Sequence, residues 1–251
     1  MSFDDLVAAE LAELSAEPPR DLTTALFSDW TRVPGPVGEL FVAFTDVGVS
    51  YIRTAESVSD DEELFRDRFY ELFERPLRRA THAPSGLLPA LRSPETALHV
   101  PVDLRVLTDF ERDVLTATRR IPVGQIRPYA WVAREIGRPR AVRAVGTALG
   151  HNPVPVLIPC HRVVRSDGQL GQYVFGAPLK ERLLRTEETN VDEVLNWASA
   201  NILFIATGAT VCYPTCARVR ESTQDDRRGF RTLASALKAG YRPCELCGPG
   251  T

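Results

Sequence analysis

The chain has 251 residues, 44% of them hydrophobic and 25% charged, with a formal net charge of −3. This is an ordinary globular composition with room for one to three domains, and no apolar run approaches the ~20 residues that a membrane-spanning helix needs. The near-neutral total conceals a segregation. Residues 1–104 carry 9 Lys and Arg against 19 Asp and Glu, residues 105–190 carry 14 against 8, and residues 191–251 carry 7 against 6. A polyanion would therefore bind the middle of the chain.

The N-terminal stretch "MSFDDLVAAELAELSAEPPRD" is acidic and lacks the basic start and apolar stretch of a signal peptide, so a cytoplasmic address and no membrane are expected. Residues 1–24 predict a short Ala/Glu-rich helix ending at Pro18-Pro19. In "GELFVAFTDVGVSYIRT" apolar and polar residues alternate around Asp46-Val47-Gly48, the pattern of a β-hairpin. "SDDEELFRDRFYELFERPLRR" places Leu64, Phe65, Phe69, Leu72 and Phe73 on one helical stripe, with Ser59 and Glu62 at capping-box spacing. Residues 82–103 hold several prolines and predict a connector.

From Thr108 the pattern is helical. Thr108 and Glu111 offer a capping box for "TDFERDVLTATRRIPVG". "PYAWVAREIG" predicts a short helix closed by Gly137, and "RPRAVRAVGTALG" a second one, with Pro139 in its first turn and its end at Gly150. The pair resembles a helix-turn-helix. Val142, Val145 and Leu149 would face inward, and Arg140 and Arg143, three apart, would share another face. Such a pair is most simply a solvated basic face. Arg127, Arg134 and Arg138 nearby favour phosphate neutralisation instead. Further on, Pro178 opens a helix in which Leu179, Leu183 and Glu187 recur every four residues, so a carboxylate lies in line with buried leucines. It must be at the helix end in water or paired inside.

The five cysteines divide four and one. Cys212, Cys216, Cys244 and Cys247 form C-x3-C and C-x2-C pairs separated by 27 residues, a spacing for a tetrahedral four-thiolate zinc site. Cys160 stands apart in "NPVPVLIPCHRVV". An isolated cysteine is most simply a small buried hydrophobe. A neighbouring histidine and a downstream carboxylate instead suit a thiol that must lose its proton to act as nucleophile.

"PCHRVV", with "RAVGTALGHNP" before it and "GQYVFG" after it, resembles the O6-alkylguanine-DNA alkyltransferases from about Thr108 to Glu187, and more weakly over the hairpin unit. The resemblance implies DNA repair by irreversible, single-turnover transfer of a methyl or other alkyl group from O6-alkylguanine to Cys160. It implies that His161 takes the thiol proton through a water, that Glu187 orients the histidine, and that Asn152 ties this network to the helix-turn-helix. It further implies Arg143 as a finger replacing the extruded guanine and Tyr129 as the group that crowds the target phosphate. Tyr173, with backbone near Val163 and Val174, would line the guanine pocket. The partner would be double-stranded DNA, bound through the minor groove with the lesion flipped out, and the protein a monomer with no organic cofactor. Val174-Phe175 stands where many relatives have Ser-Gly or Gly-Gly, which predicts poor reaction with benzyl-type lesions.

"TGATVCYPTCARVRE…GFRTLASALKAGYRPCELC" resembles the metal-binding domain of the Ada adaptive-response proteins. That implies one zinc ion on four cysteines, with Cys212 either a purely structural ligand or a second acceptor, for methyl phosphotriesters. Tyr213 replaces an arginine usual after the first cysteine, and no regulatory domain separates the two units, so transcriptional activation does not follow. The expected fold class is α/β plus mainly α. An acidic segment (1–24) precedes a small α/β domain (25–102), a helical alkyltransferase domain (103–190) and a four-cysteine zinc module (191–251). The competing class is a non-catalytic damage sensor or zinc-dependent DNA-binding regulator.

Overall fold

The structure, a computed structural model, describes residues 26–250; the helix expected over 1–24 lies outside the described residues. Strands β1 (Ser28–Gly35), β2 (Gly38–Phe44), β3 (Val49–Thr54) and β4 (Leu77–Arg79) form one sheet in the order β3-β2-β1-β4, with only β4 parallel to its neighbour. The β2–β3 hairpin turns at residues 45–48 as expected, and Gly48 at φ +156 sits too close to Pro101 for a side chain. Strand β1 escaped notice because "SDWTRVPG" alternates only briefly before Pro34-Gly35.

Helix α1 (Glu62–Phe73) covers one face of this sheet. Phe65 and Phe69 pack with Trp30, Phe41 and Tyr51, ring centroids 5.3–5.9 Å apart, an aromatic cluster that holds helix to sheet. Its cap differs from expectation. Asp61, not Ser59, accepts the amides of Glu63 and Leu64 at 2.8 and 3.3 Å, because Ser59 is in left-handed backbone (φ 54) ending the preceding turn. Leu72 is exposed, off the stripe. The opposite sheet face, through Val33, Leu40, Val42 and Ile52, joins the central core.

Residues 82–103 are more than a connector. Helix α2 (Leu87–Arg92) and a 3-10 turn (Pro94–His99) bury Leu87, Ala90, Leu91 and Ala97 in that core. The prolines misled because Pro89 sits in the first turn of α2, where no amide bond is lost. Helix α3 (Asp109–Arg119) has both halves of its capping box, Glu111 N to Thr108 Oγ1 at 3.3 Å and Thr108 N to Glu111 Oε2 at 3.1 Å.

Then follow β5 (Arg127–Pro128), α4 (Tyr129–Glu135) and α5 (Val142–Gly150). Helix α5 starts three residues after Pro139, so Arg140 lies in the turn before it and shares no helical face with Arg143. Pro139 restricts the residue before it and closes an Arg138–Ala141 turn instead. The 3-10 turn Cys160–Arg162 leads into β6 (Val163–Val164), which pairs parallel with β5, and α6 (Ala177–Thr186) and α7 (Val191–Ser199) complete the middle of the chain.

The last part is a second sheet in the order β10-β8-β7-β9, from β7 (Phe204–Thr207), β8 (Thr210–Cys212), β9 (Arg228–Phe230) and β10 (Arg242–Pro243), with α8 (Ala217–Glu221) and α9 (Leu233–Lys238). Val191 and Val194 of α7 pack with Ile126, Val164 and Leu184, which fastens this end to the middle of the chain. Among the described residues no helix is long and apolar enough to cross a membrane.

Candidate active site and metal centre

The segment 152–160 is shaped by its own residues. Pro153, Pro155 and Pro159 restrict the backbone, and Asn152 fastens what remains. Its Nδ2 donates to Ile158 O at 3.0 Å and to Cys160 Sγ at 3.2 Å, while its Oδ1 accepts the Val154 amide at 3.0 Å. Val156 takes φ +77, a strained value for a β-branched residue, and is held there by this closure. From the N-terminal sheet, Ile52 N donates to Pro153 O at 2.8 Å. Arg53 Nη1 donates to Ile52 O at 2.6 Å and reaches Pro153 O at 3.4 Å.

Cys160 is buried, and burial pushes its thiol up, opposed by the Asn152 hydrogen bond and the Lys180 charge. Among the described residues His161 makes no direct hydrogen bond to Cys160. Its Nε2 meets Glu187 Oε1 at 2.9 Å. Burial raises the Glu187 carboxyl, but the His161 and Arg162 hydrogen bonds outweigh it and draw it down to about 2. An ionised Glu187 accepts only, so Nε2 carries the proton. Nδ1 is then the free lone pair, and it is buried without a hydrogen-bond partner among the described residues. Burial also lowers His161, which keeps the ring neutral and able to take a proton.

Two further groups complete the site, and sequence reasoning passed over both. Arg162 grips Glu187 with Nε to Oε2 at 2.8 Å and Nη2 to Oε1 at 2.7 Å, and Nη1 reaches Ile121 O at 2.6 Å. It neutralises the buried carboxylate, which settles the question of how Glu187 lies in line with leucines: it is paired inside, at the end of α6. Lys180 is 0% exposed and donates Nζ to Val163 O at 2.6 Å and Gln172 O at 3.2 Å. Burial lowers it to about 8, and the Cys160 charge opposes that shift. Lys180, Leu183, Leu184 and Glu187 follow i, i+3, i+4, i+7, so helical periodicity carried the signal.

In front of Cys160 opens a cleft of about 250 Å³, lined by Tyr129, Gly146, Leu149, Gln172, Tyr173 and Val174. This is the small end of ligand-pocket sizes, suited to one flat ring system. Tyr173 sits edge-on to His161 (centroids 6.0 Å) and its hydroxyl is buried with no partner among the described residues. Phe175 packs edge-on against Tyr173 at 5.6 Å. Val163 is behind the wall, fully buried, with its carbonyl taken by Lys180. Arg143 is exposed on the first turn of α5, and Arg140 and Arg138 are exposed in the preceding turn.

Arg127 does not belong with them. It is 2% exposed, donates to Ile126 O and Gln125 Oε1, and faces the rings of Trp131 and Tyr213 at 5.7 Å. Strand β5 alternates, so its first residue turns into the protein, towards the cysteines. Arg134 is half-buried and donates to Tyr213 Oη at 2.7 Å. Neither presents its charge to a duplex.

The Sγ atoms of Cys212, Cys216, Cys244 and Cys247 lie within 4.8 Å of one another, all buried, with Cys216 and Cys244 at 4.0 Å. Zinc–sulfur bonds of about 2.3 Å in a tetrahedron need sulfurs about 3.8 Å apart, so the donor set fits. The Tyr213 amide donates to Cys247 Sγ at 3.3 Å, the kind of outer contact that orients a thiolate ligand. One zinc ion on these four cysteines supplies much of what holds this small module folded.

Fold and site together define a protein with one buried cysteine, apart from the other four, beside a His–Glu pair and joined to a four-cysteine zinc module. Residues 109–189 match the family model described as 6-O-methylguanine DNA methyltransferase, DNA binding domain, and residues 200–250 match the metal binding domain of Ada. A methylated-DNA–protein-cysteine methyltransferase of Methanosarcina acetivorans is 31% identical over 166 residues, 61% of this chain and 93% of that protein. Its counterpart from Methanosarcina barkeri is 50% identical over 84 residues, 34% of this chain and 53% of that protein. The bifunctional transcriptional activator/DNA repair enzyme Ada of Escherichia coli is 35% identical over 163 residues, 61% of this chain and 44% of that protein. The chain thus spans about half the length of the last two. A crystal structure of Mycobacterium tuberculosis OGT in complex with DNA superposes with a TM-score of 0.52 at 31% identity, over 66% of this chain and 98% of that one. The chain belongs to the methylated-DNA–protein-cysteine methyltransferase family.

Proposed function

We propose that this protein repairs DNA by moving the methyl or other alkyl group of O6-alkylguanine irreversibly onto Cys160, once per molecule. The observation that carries the reading is a buried thiol, held at 3.2 Å by the Asn152 amide, at the floor of a cleft sized for one base and beside a neutral His161 paired to Glu187. The Cys160 proton passes through a bridging water to His161 Nδ1, and Glu187 stabilises the imidazolium that results. The thiolate attacks the alkyl carbon. An S–C bond forms as the O6–C bond breaks, the electron pair goes to O6, and the guanine takes a proton from water, to which the His161 imidazolium returns the one it received.

The substrate is double-stranded DNA, entered from the minor groove, with the lesion flipped into the cleft at a cost of a few kcal/mol. Tyr129, at the start of α4 and on the cleft wall, presses on the target phosphate, and exposed Arg143 fills the vacated place in the stack. Tyr173, with its free buried hydroxyl, and the backbone at Val174 hold the base. Val163 contributes indirectly, as the carbonyl that Lys180 grips. Of the expected domains, the described residues 26–102 brace the site, 103–190 carry it and 191–250 form the zinc module. The protein works as a cytoplasmic monomer.

For Cys212 the burial favours a structural ligand over a second acceptor: it is 0% exposed and sealed by neighbouring side chains. The test of the whole reading is incubation with a duplex labelled in the O6-methyl group. Label should move to Cys160 and vanish in Cys160→Ala. A damage sensor would bind the duplex and stay unlabelled. Label on Cys212 from a methyl phosphotriester duplex would reinstate it as an acceptor.

A further inference from the structure

The zinc module touches the alkyl-transfer half at the strand that delivers Tyr129. Thr215, one residue before the ligand Cys216, accepts the Ile126 amide on Oγ1 at 2.8 Å and lies 3.4 Å from Ile126 O, to which the same hydroxyl donates. One hydroxyl thus occupies both backbone groups of a buried residue three positions before Tyr129. Two residues along, Arg134 of the Tyr129 helix donates to Tyr213, the neighbour of Cys212. Trp131, on the same helix, packs against both the central core and the cysteine cluster.

Between these contacts lies Arg127. Its guanidinium is buried and, among the described residues, donates only to two neutral oxygens, with Nε unpartnered. A buried cation calls for an anion nearby. Four thiolates on one zinc ion leave a net charge of −2, and this cluster lies on the side Arg127 faces. Arg127 is also the first residue of β5, whose partner strand begins at Val163, three residues after Cys160.

We propose that the four-cysteine module is a positioning element for alkyl transfer, with Thr215 and Arg127 coupling the loaded metal site to Tyr129 across the β5–β6 pair. Neither residue touches the substrate; both act through the strand between them. The inference rests on the alkyl-transfer reading given above.

The test uses the full chain. Thr215→Val keeps the shape of the side chain and removes the clasp, and Thr215→Ser restores the hydroxyl. Zinc content is measured for each, with methyl transfer from an O6-methylguanine duplex at subsaturating DNA and from the free O6-methylguanine base. The free base makes no use of a phosphate lever. Thr215→Val should retain zinc, lose roughly ten-fold on the duplex, stay within about two-fold on the free base, and recover in Thr215→Ser. Equal duplex rates in zinc-loaded Thr215→Val and wild type overturn the proposal, as does a parallel loss on both substrates. Amide exchange on the wild type supplies an arm independent of any variant or activity. Removing zinc with a chelator should speed exchange over residues 126–135 and leave 40–54 unchanged; unchanged exchange over 126–135 also overturns it. A wild type that transfers no methyl defeats the functional reading, while the exchange experiment still decides the coupling.

Discussion

The amide of Asn152 donates to Cys160 Sγ at 3.2 Å while its oxygen accepts the Val154 amide at 3.0 Å. The group that shapes the loop is therefore also a donor to the proposed nucleophile. Asn152→Ala should lose about 2–4 kcal/mol in urea unfolding. Single-turnover methyl transfer should fall by ~10²-fold, the usual loss when a fixed donor is taken from a charge-bearing atom. A rate unchanged from wild type would make Asn152 a loop residue only.

Glu187→Gln separates pairing from shape. Arg162 then keeps a buried charge with no counter-charge, which should cost about 3–5 kcal/mol. The neutral amide no longer fixes Nε2 of His161 as the donor, so transfer should slow by ~10- to 100-fold. Denaturation midpoint and single-turnover rate are read on the same samples, and a full rate at reduced stability would remove Glu187 from the proton path.

Acid should weaken the fold in two stages. Burial depresses His161 below its ordinary 6.5, so the unfolded chain binds that proton more readily and stability is lost as pH drops below about 6.5. Glu187 falls from 4.5 to about 2 on folding, so its contribution is complete above pH 4.5 and disappears as pH falls towards 2. Urea midpoints between pH 7 and 3 should decline throughout, and in Glu187→Gln the decline below pH 4.5 should flatten. A stability maximum below about pH 4 would contradict both assignments.

Lys180→Met keeps the length of the side chain and leaves Val163 O and Gln172 O without their donor. The loss should be about 2 kcal/mol, and transfer from a duplex should suffer more than alkylation of Cys160 by iodoacetamide. In the wild type the rise of rate with pH should bend downwards near pH 8, where Lys180 loses the charge that favours the thiolate. That bend should be missing from the variant.

Purified protein should hold one zinc per chain, and Cys244→Ser should release it to a chelator at least ~10-fold faster than wild type. Near-ultraviolet circular dichroism should then lose the part arising from Tyr213 and Trp197, which pack at the cluster. Equal zinc retention in the two proteins would point to a different ligand set.

Much of the site could be read in advance because its chemistry is concentrated in sequence. Asn152, Cys160 and His161 fall within ten residues, and the four cysteines keep ligand spacing. The capping box at Thr108 was legible for the same reason, since it depends on residues three apart. What escaped depends on which face a short element turns inward. Arg127 looked like part of a basic surface, but only a two-residue strand decides its direction, and it points to the cysteines. Ser59 had the spacing of a cap and lost it to Asp61, because the chain enters α1 through a left-handed turn. Lys180 was hidden by the ordinary expectation that lysines lie in water. Strand β1 is short, and α2 hides behind a first-turn proline.

Strand β3 is the outer strand of the N-terminal sheet, yet little of its outer rim is left open. Val49 exchanges bonds with Pro101 and Asp103, and Ile52 N donates to Pro153 in the loop that ends at Cys160. An open rim invites a strand from another molecule. Here the loop that presents the nucleophile doubles as the seal on that rim. Any event that frees the loop also uncovers a sticky edge, so loss of the acceptor geometry and the onset of self-association share one trigger.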